Sequence, residues 1–330
     1  MIPVAFVTGF LGSGKTTLIG RLLRDPASAR TAVIVNEFGE IGLDHDLIAS
    51  SDDSVLTLNT GCLCCAIQTD LARTLLDLFG RRGAGSVDYE RVLIETSGLS
   101  DPGPMLQAMM TDSAVLATHR IPAVITLVDA VHGEQTLQEH AEACQQVALA
   151  DCLLISKSDV QAPSAGLLAS LGRLNAAAPR MMASSADMTV FFGGASGGDW
   201  ASRLPDFARR QGHGEIETFT VLRDRPLPAL ALTLLLQALA EHCGSRLLRV
   251  KGLVSIEEML GRPAVIHGVR HVFSAPEFLD RWPSGDERTR IVVIGRGVPR
   301  YFVSRLLDAI EEEVRDAIAS HPAEFRMRGG

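Results

Sequence analysis

The sequence predicts an α/β fold: a mostly parallel, doubly wound sheet followed by a smaller α+β domain. Three observations carry this. Up to about residue 190, short apolar runs alternate with helical stretches. The first run ends in a glycine-rich turn that leads straight into a helix. Beyond residue 214 the runs mostly follow one another without helices between them.

The runs are PVAFVTGF (3–10), TAVIVNEF (31–38), SVLTLNT (54–60), RVLIET (91–96), IPAVITLVDA (121–130) and ADCLLISKSD (150–159). Helical stretches such as KTTLIGRLLRD (15–25) and LARTLLDLFG (71–80) follow some of them. Near-continuous apolar strands separated by helices imply a parallel sheet covered on both faces, with ligands bound beyond the carboxyl ends of the strands. GGASGGDWASRLPDFARRQGHG (193–214) is rich in Gly, Ser and Arg and reads as a linker. After it come ETFTVLRD, a helix over 227–243, RLLRVKGLVSI, AVIHGVRHVF, TRIVVIGRG and an amphipathic helix over 301–318. Successive strands there suggest an antiparallel sheet. The division is therefore 1–192, a linker over 193–214, and 215–330.

Of the 330 residues, 46% are hydrophobic and 21% charged, enough to bury a core, and the formal net charge is −8. That balance argues against general affinity for nucleic-acid backbone. The first residues show no basic targeting region, and the longest apolar stretch (227–240) is too short to cross a bilayer. A cytoplasmic location is expected, with neither nucleic acid nor membrane as partner.

GFLGSGKTT (9–17) fits the pattern G-x-x-x-x-G-K-[ST] between a predicted strand and a predicted helix. The glycines let the backbone wrap phosphates, and the helix N-terminus adds N–H donors. Gly9, Gly12, Ser13, Gly14, Lys15, Thr16 and Thr17 are the candidate phosphate contacts. Lys15 should reach the β- and γ-phosphates, and Thr16 should ligate Mg²⁺. In VLIETSGL (92–99), Glu95 ends a buried strand, where a carboxylate can bind Mg²⁺ or orient water. Gly98 suits a backbone contact with the γ-phosphate. Asp129, ending another strand, is a further candidate for the same acidic cluster. No arginine finger or clearly placed glutamine stands out, so intrinsic hydrolysis should be slow.

ISKSD (155–159) bears on the base. Asp159 can accept two hydrogen bonds from guanine, a pair that adenine does not offer. Lys157 would lay its stem against the base. Ser156 stands where guanine-nucleotide proteins carry Asn, so contacts near N7 and the bracing of the phosphate loop are expected to be shorter or missing. GTP binding is then weaker, with selectivity kept.

Three of the six cysteines, Cys62, Cys64 and Cys65, crowd into NTGCLCCAIQTD (59–70). A Cys62–Cys65 redox pair, buried small side chains and a metal site compete as readings. Three thiolates suit one divalent ion, and Zn²⁺ favours four tetrahedral ligands. Glu40, a water or a partner's side chain could supply the fourth. Soft sulfur favours Zn²⁺ or Cu⁺, and Co²⁺ accepts the same geometry. Cys144, Cys152 and Cys243 lie in apolar periodic stretches and read as core.

GFLGSGKTT, NEFGEIGLD (36–44), GCLCC (61–65), ETSGLSDPGP (95–104) and SKSD (156–159) occur in the order and spacing of the CobW family of P-loop GTPases. RLLRVKGLVSI, VIHGVRHVF and RIVVIGRG resemble that family's C-terminal domain, so the resemblance spans nearly the whole chain. It implies a GTP-dependent metallochaperone that delivers zinc or cobalt to a client metalloprotein. Its metal motif falls on Cys62, Cys64 and Cys65, and its switch loops on Asn36–Asp44 and Glu95–Pro102. The histidine-rich stretch of many members is absent, which argues against bulk metal storage. A role in cobalamin synthesis is a narrower version of the same reading. Related SIMIBI-class proteins often dimerise across the nucleotide, so the resemblance admits a homodimer. Two other classes stay open on the residues alone: an ATP-dependent kinase or ligase with incidental cysteines, and a metal-sensing module with a structural nucleotide.

Overall fold

The computed structural model describes residues 1–37, 55–59, 64–121, 123–193, 211–213 and 216–321. The chain folds as two compact units, Met1–Trp200 and Ala201–Gly330.

The first unit contains β1 (Ile2–Gly9), α1 (Lys15–Leu23), β2 (Thr31–Glu37), β3 (Val55–Asn59), α2 (Cys64–Gly83), β4 (Arg91–Thr96), α3 (Gly103–Thr111) and α4 (Ser113–Thr118). It continues with β5 (His119–Arg120), β6 (Val124–Asp129), α5 (Gly133–Glu139), α6 (Ala141–Leu149), β7 (Cys152–Ser156), α7 (Ala165–Leu174), β8 (Arg180–Met182) and α8 (Met188–Phe192). The strands run in the order β3-β2-β4-β1-β6-β7-β8, with β5 beside β1. Every pairing is parallel. All six predicted apolar runs of this half are strands of the sheet.

Alternate residues of these strands face two apolar layers, as a sheet buried on both sides requires. Val7, Leu93, Ile125 and Leu154 pack with Leu18, Ile19 and Leu22 of α1 and Phe191 of α8. Helix α6 lies against β1 and β6. Val4, Phe6, Val92 and Ile94 are fully buried, and each such side chain contributes about 1.5–3 kcal/mol of transfer free energy.

The parallel register fixes what gathers at one edge. Val7 pairs with Glu95, Gly9 with Leu127, Asp129 with Ser156, and Glu37 with Asn59. The carboxyl ends of β1, β4, β6 and β7 are therefore adjacent, and the turn before α1 sits among them. Strand β8 had no sequence signal: three residues after Pro179 are too few to show a period.

The second unit contains β9 (Gln211–His213), β10 (Ile216–Arg223), α9 (Ala229–Cys243), β11 (Leu247–Val254), β12 (Ala264–Val269), β13 (Val272–Phe273), β14 (Glu277–Phe278), β15 (Thr289–Arg296) and α10 (Arg300–Ser320). Its sheet has the order β13-β12-β11-β15-β10-β9, with β14 beside β12. All pairings are antiparallel, as the successive strands predicted. Leu232, Leu235 and Leu239 of α9 and Val303 and Leu307 of α10 cover Phe219, Val250, Ile266 and Val293 of the sheet. Helix α9 begins two residues later than the apolar pattern, because Pro228 is extended at ψ 138°. Gln211–His213, inside the stretch read as linker, is a strand paired with β10.

Candidate nucleotide site

Three backbone positions shape the turn between β1 and α1. Gly9, Gly12 and Gly14 have φ of 143°, 70° and 92°, a region where a side chain is strained. A Cβ on Gly9 would also lie 2.5 Å from Leu127 O. The turn closes through Ser13 N–H donating to Phe10 O at 3.1 Å. Ser13 is buried, and Gly12 and Thr17 are exposed. Helix α1 has no acidic residue in its first turn, so nothing on the helix itself offsets its positive end.

Lys15 is buried, and its Nζ donates to Gly9 O at 2.8 Å and Phe10 O at 3.4 Å. The ammonium thus lies over the turn it belongs to. Thr16 Oγ1 donates to Glu95 Oε1 at 2.8 Å. Two residues 79 positions apart in sequence are thereby brought together, with Glu95 only 2% exposed. Thr96 Oγ1 donates to Thr8 Oγ1 at 2.9 Å, which ties β4 to β1 just behind this pair. A hydroxyl and a carboxylate are hard oxygen donors, the set that suits Mg²⁺. Gly98 sits directly against the phosphate loop: a Cβ there would be 2.7 Å from Leu11 N and 2.9 Å from Leu11 Cα. Backbone cannot yield as a flexible side chain can, so only glycine fits.

One expectation needs correction. Asp129 does not join the Thr16–Glu95 cluster. It accepts from Lys157 Nζ at 2.6 Å and from the N–H groups of Val131 and His132 at 2.7 and 3.4 Å. Burial raises its pKa, but the Lys157 hydrogen bond and the two backbone donors outweigh that and leave it lowered. A carboxylate two residues past Leu127, the register partner of Gly9, faces the next strand instead. Of the two outcomes expected for Ser156, a shorter brace of the loop or none, the structure has the shorter brace. Ser156 Oγ donates to Ser13 O at 2.6 Å. The end of β7 lies close enough beneath the loop for a one-carbon side chain to reach.

Lys157 adopts φ 53°, in the left-handed region that costs a non-glycine residue about 1–3 kcal/mol. Asp129 anchors its side chain, and its carbonyl accepts from Val160 N and Gln161 N at 3.1 Å each. Asp159 follows on the exposed surface of the same turn. The segment after β8 packs against β7, and Arg21 of α1 holds it by donating to the carbonyls of Ser184, Ala183 and Ala186. Nothing in the sequence singled out that segment. A cavity of about 130 Å³ opens between Leu11 and Ser13 of the phosphate loop and Asp129, Gln146 and Lys157.

Cys62 and Glu40 lie outside the described residues, as does most of the 36–44 loop. Cys64 and Cys65 are the first two residues of α2, and their side chains also lie outside the description. Helix α2 follows β3, whose last residue, Asn59, pairs with Glu37 at the carboxyl edge of the sheet. Cys144, Cys152 and Cys243 are buried thiols, as the apolar periodicity predicted.

A phosphate-loop turn among the carboxyl ends of a parallel sheet, plus a separate antiparallel domain, defines the molecule as a P-loop NTPase-like protein. The family model for the CobW/HypB/UreG nucleotide-binding domain matches residues 3–182, and that for the cobalamin synthesis protein cobW C-terminal domain matches 216–311. The chain belongs to the CobW family. It is 33% identical over 328 residues to the zinc chaperone YjiA of Escherichia coli K12, covering 96% of this chain and 98% of that one. With the zinc chaperone CobW of Pseudomonas aeruginosa it shares 31% over 367 residues, covering 96% and 92%. The crystal structure of Zn(II)-bound YjiA GTPase from E. coli superposes with a TM-score of 0.72 at 26% identity, covering 94% of this chain and 98% of that one.

Proposed function

We propose that the chain is a GTP-hydrolysing metallochaperone that carries zinc and hands it to a client metalloprotein. The observation that carries this is the Thr16–Glu95 hydrogen bond beside Lys15, which assembles a phosphate-transfer edge from separate segments of the chain. Gly9, Gly12, Ser13, Gly14 and Thr17 complete the cradle for the phosphates. Lys15 exchanges Gly9 O and Phe10 O for β- and γ-phosphate oxygens when GTP enters. Thr16 and Glu95 are the residues that would hold Mg²⁺, which neutralises phosphate charge when bound. Gly98 supplies a backbone N–H toward the γ-phosphate. Asp159 reads guanine, Lys157 backs the base, and Ser156 holds Ser13 in place.

Zinc is the cargo, taken up by Cys62, Cys64 and Cys65 with Glu40 as the fourth ligand; cobalt suits the same thiolates. Support comes from the zinc chaperones this chain is similar to, and from the position of Cys64 and Cys65 at the start of the helix that follows the sheet's carboxyl edge. The division into 1–192, 193–214 and 215–330 is supported by the family-model ranges, and we assign client contact to the C-terminal domain.

Competition binding tests the nucleotide reading. GDP is expected to displace a bound GTP analogue and ATP to leave it in place, and Lys15→Ala is expected to abolish sustained turnover. Equal displacement by ATP would overturn the guanine assignment, and turnover surviving Lys15→Ala would overturn the site.

A further inference from the structure

Gln146 belongs to no motif in the sequence. It lies on α6 beside Val147 and Ala143, and it is completely buried. Its Nε2 donates to Gly98 O at 3.0 Å and to Ser100 O at 3.0 Å. Its Oε1 is buried with no hydrogen-bond partner among the described residues. Turning the amide over would set that oxygen against two carbonyl oxygens, so the acceptors on the loop fix its orientation. A buried acceptor left unmade costs about 1–3 kcal/mol, which an apolar side chain of equal size would avoid. The amide is explained by its two donors.

Those donors grip a particular turn. Ser100 N and Ser100 Oγ both donate to Ser97 O, at 3.1 and 2.8 Å, closing Ser97–Ser100 on itself. Gly98 within it touches the backbone of Leu11. On the other side, Gln146 O accepts from Thr126 Oγ1 at 2.8 Å, on the strand paired with β1. The turn is thus clamped between the phosphate loop and a helix anchored to the core.

We propose that Gln146 is a positioning residue that latches the Ser97–Ser100 turn so that the Gly98 N–H is held ready for the γ-phosphate. This rests on the GTPase reading above. GDP lacks the group that the latched turn meets, so the latch separates triphosphate from diphosphate and leaves the common contacts alone.

Gln146→Met keeps the volume and removes both donors. The expected result is GDP affinity within about twofold of the native protein, with affinity for a non-hydrolysable GTP analogue and kcat each lower by about tenfold, the scale of one or two lost hydrogen bonds. An unchanged ratio of GDP to analogue affinity would overturn the proposal, as would equal losses for both, which mark a purely structural amide. Should Gln146→Met fail to fold, amide exchange in the native protein decides. A latched turn protects the Ser100 amide with GDP bound as well as with the analogue, and fast exchange in the GDP form contradicts the latch. Native protein that binds GDP but hydrolyses no GTP refutes the GTPase reading itself, whatever Gln146→Met does.

Discussion

Ser156 shows how little a side chain needs when the backbone is already in place. Its hydroxyl reaches Ser13 O because the ends of β7 and β1 are held by one sheet. Ser156→Ala leaves that carbonyl without its donor, and the expected cost is about 1–2 kcal/mol of stability with weaker binding of GTP and GDP alike. Urea unfolding and GDP titration check it; unaltered nucleotide affinity would show that the brace is idle. At this scale legibility followed sequence distance. Lys15, Thr16 and Glu95 were readable because a phosphate loop and an acidic strand end each announce themselves locally. Asp129 is also an acidic strand end, but its direction depends on which neighbouring strand supplies the cation, and that is set by sheet order. Gln146 was invisible because its partners lie 46 and 48 residues away.

Strands and helices obeyed their periods where they were long enough to have one. The six apolar runs of the first unit and the later strands of the second were readable from side-chain pattern alone, whereas β5 and β8, of two and three residues, exist only through their neighbours. Strand β5 also carries the clearest pH-dependent group. Burial, with a smaller contribution from the charged N-terminus of the chain, lowers the pKa of His119 from 6.5 to about 4. Above pH 6.5 the imidazole is neutral folded or unfolded and favours neither state. As pH falls below 6.5 the unfolded chain takes up a proton that the folded chain refuses until about pH 4. Stability is therefore lost across that window, by at most about 3 kcal/mol from this group. His119→Phe should flatten the fall in urea midpoint between about pH 6.5 and pH 4, the range that the His119 shift spans. An identical slope in both proteins would remove His119 from the account.

Across the whole molecule, two units with separate cores divide the labour proposed here: one gathers the nucleotide residues at a sheet edge, and the other offers an antiparallel sheet backed by two helices. Among the described residues no helix is long and apolar enough to cross a membrane. Under the proposed function, nucleotide and metal are joined by the path of the chain. It leaves the carboxyl edge at Asn59 and begins a helix at Cys64, between the residues that follow β2 and the Glu95 strand. On that proposal GTP binding changes the cysteine geometry, and linkage then requires zinc to change GTP affinity by the same factor.

The most direct measurement is a zinc titration against a competing chelator, with GDP and then with a non-hydrolysable GTP analogue and Mg²⁺, in the native protein and in the triple Cys62/Cys64/Cys65→Ser variant. Zinc affinity is expected to depend on the cysteines and to differ about tenfold or more between the two nucleotides, equivalent to at least ~1.4 kcal/mol of coupling. Equal affinity in both nucleotide states, or affinity that survives loss of the cysteines, would contradict the proposed function.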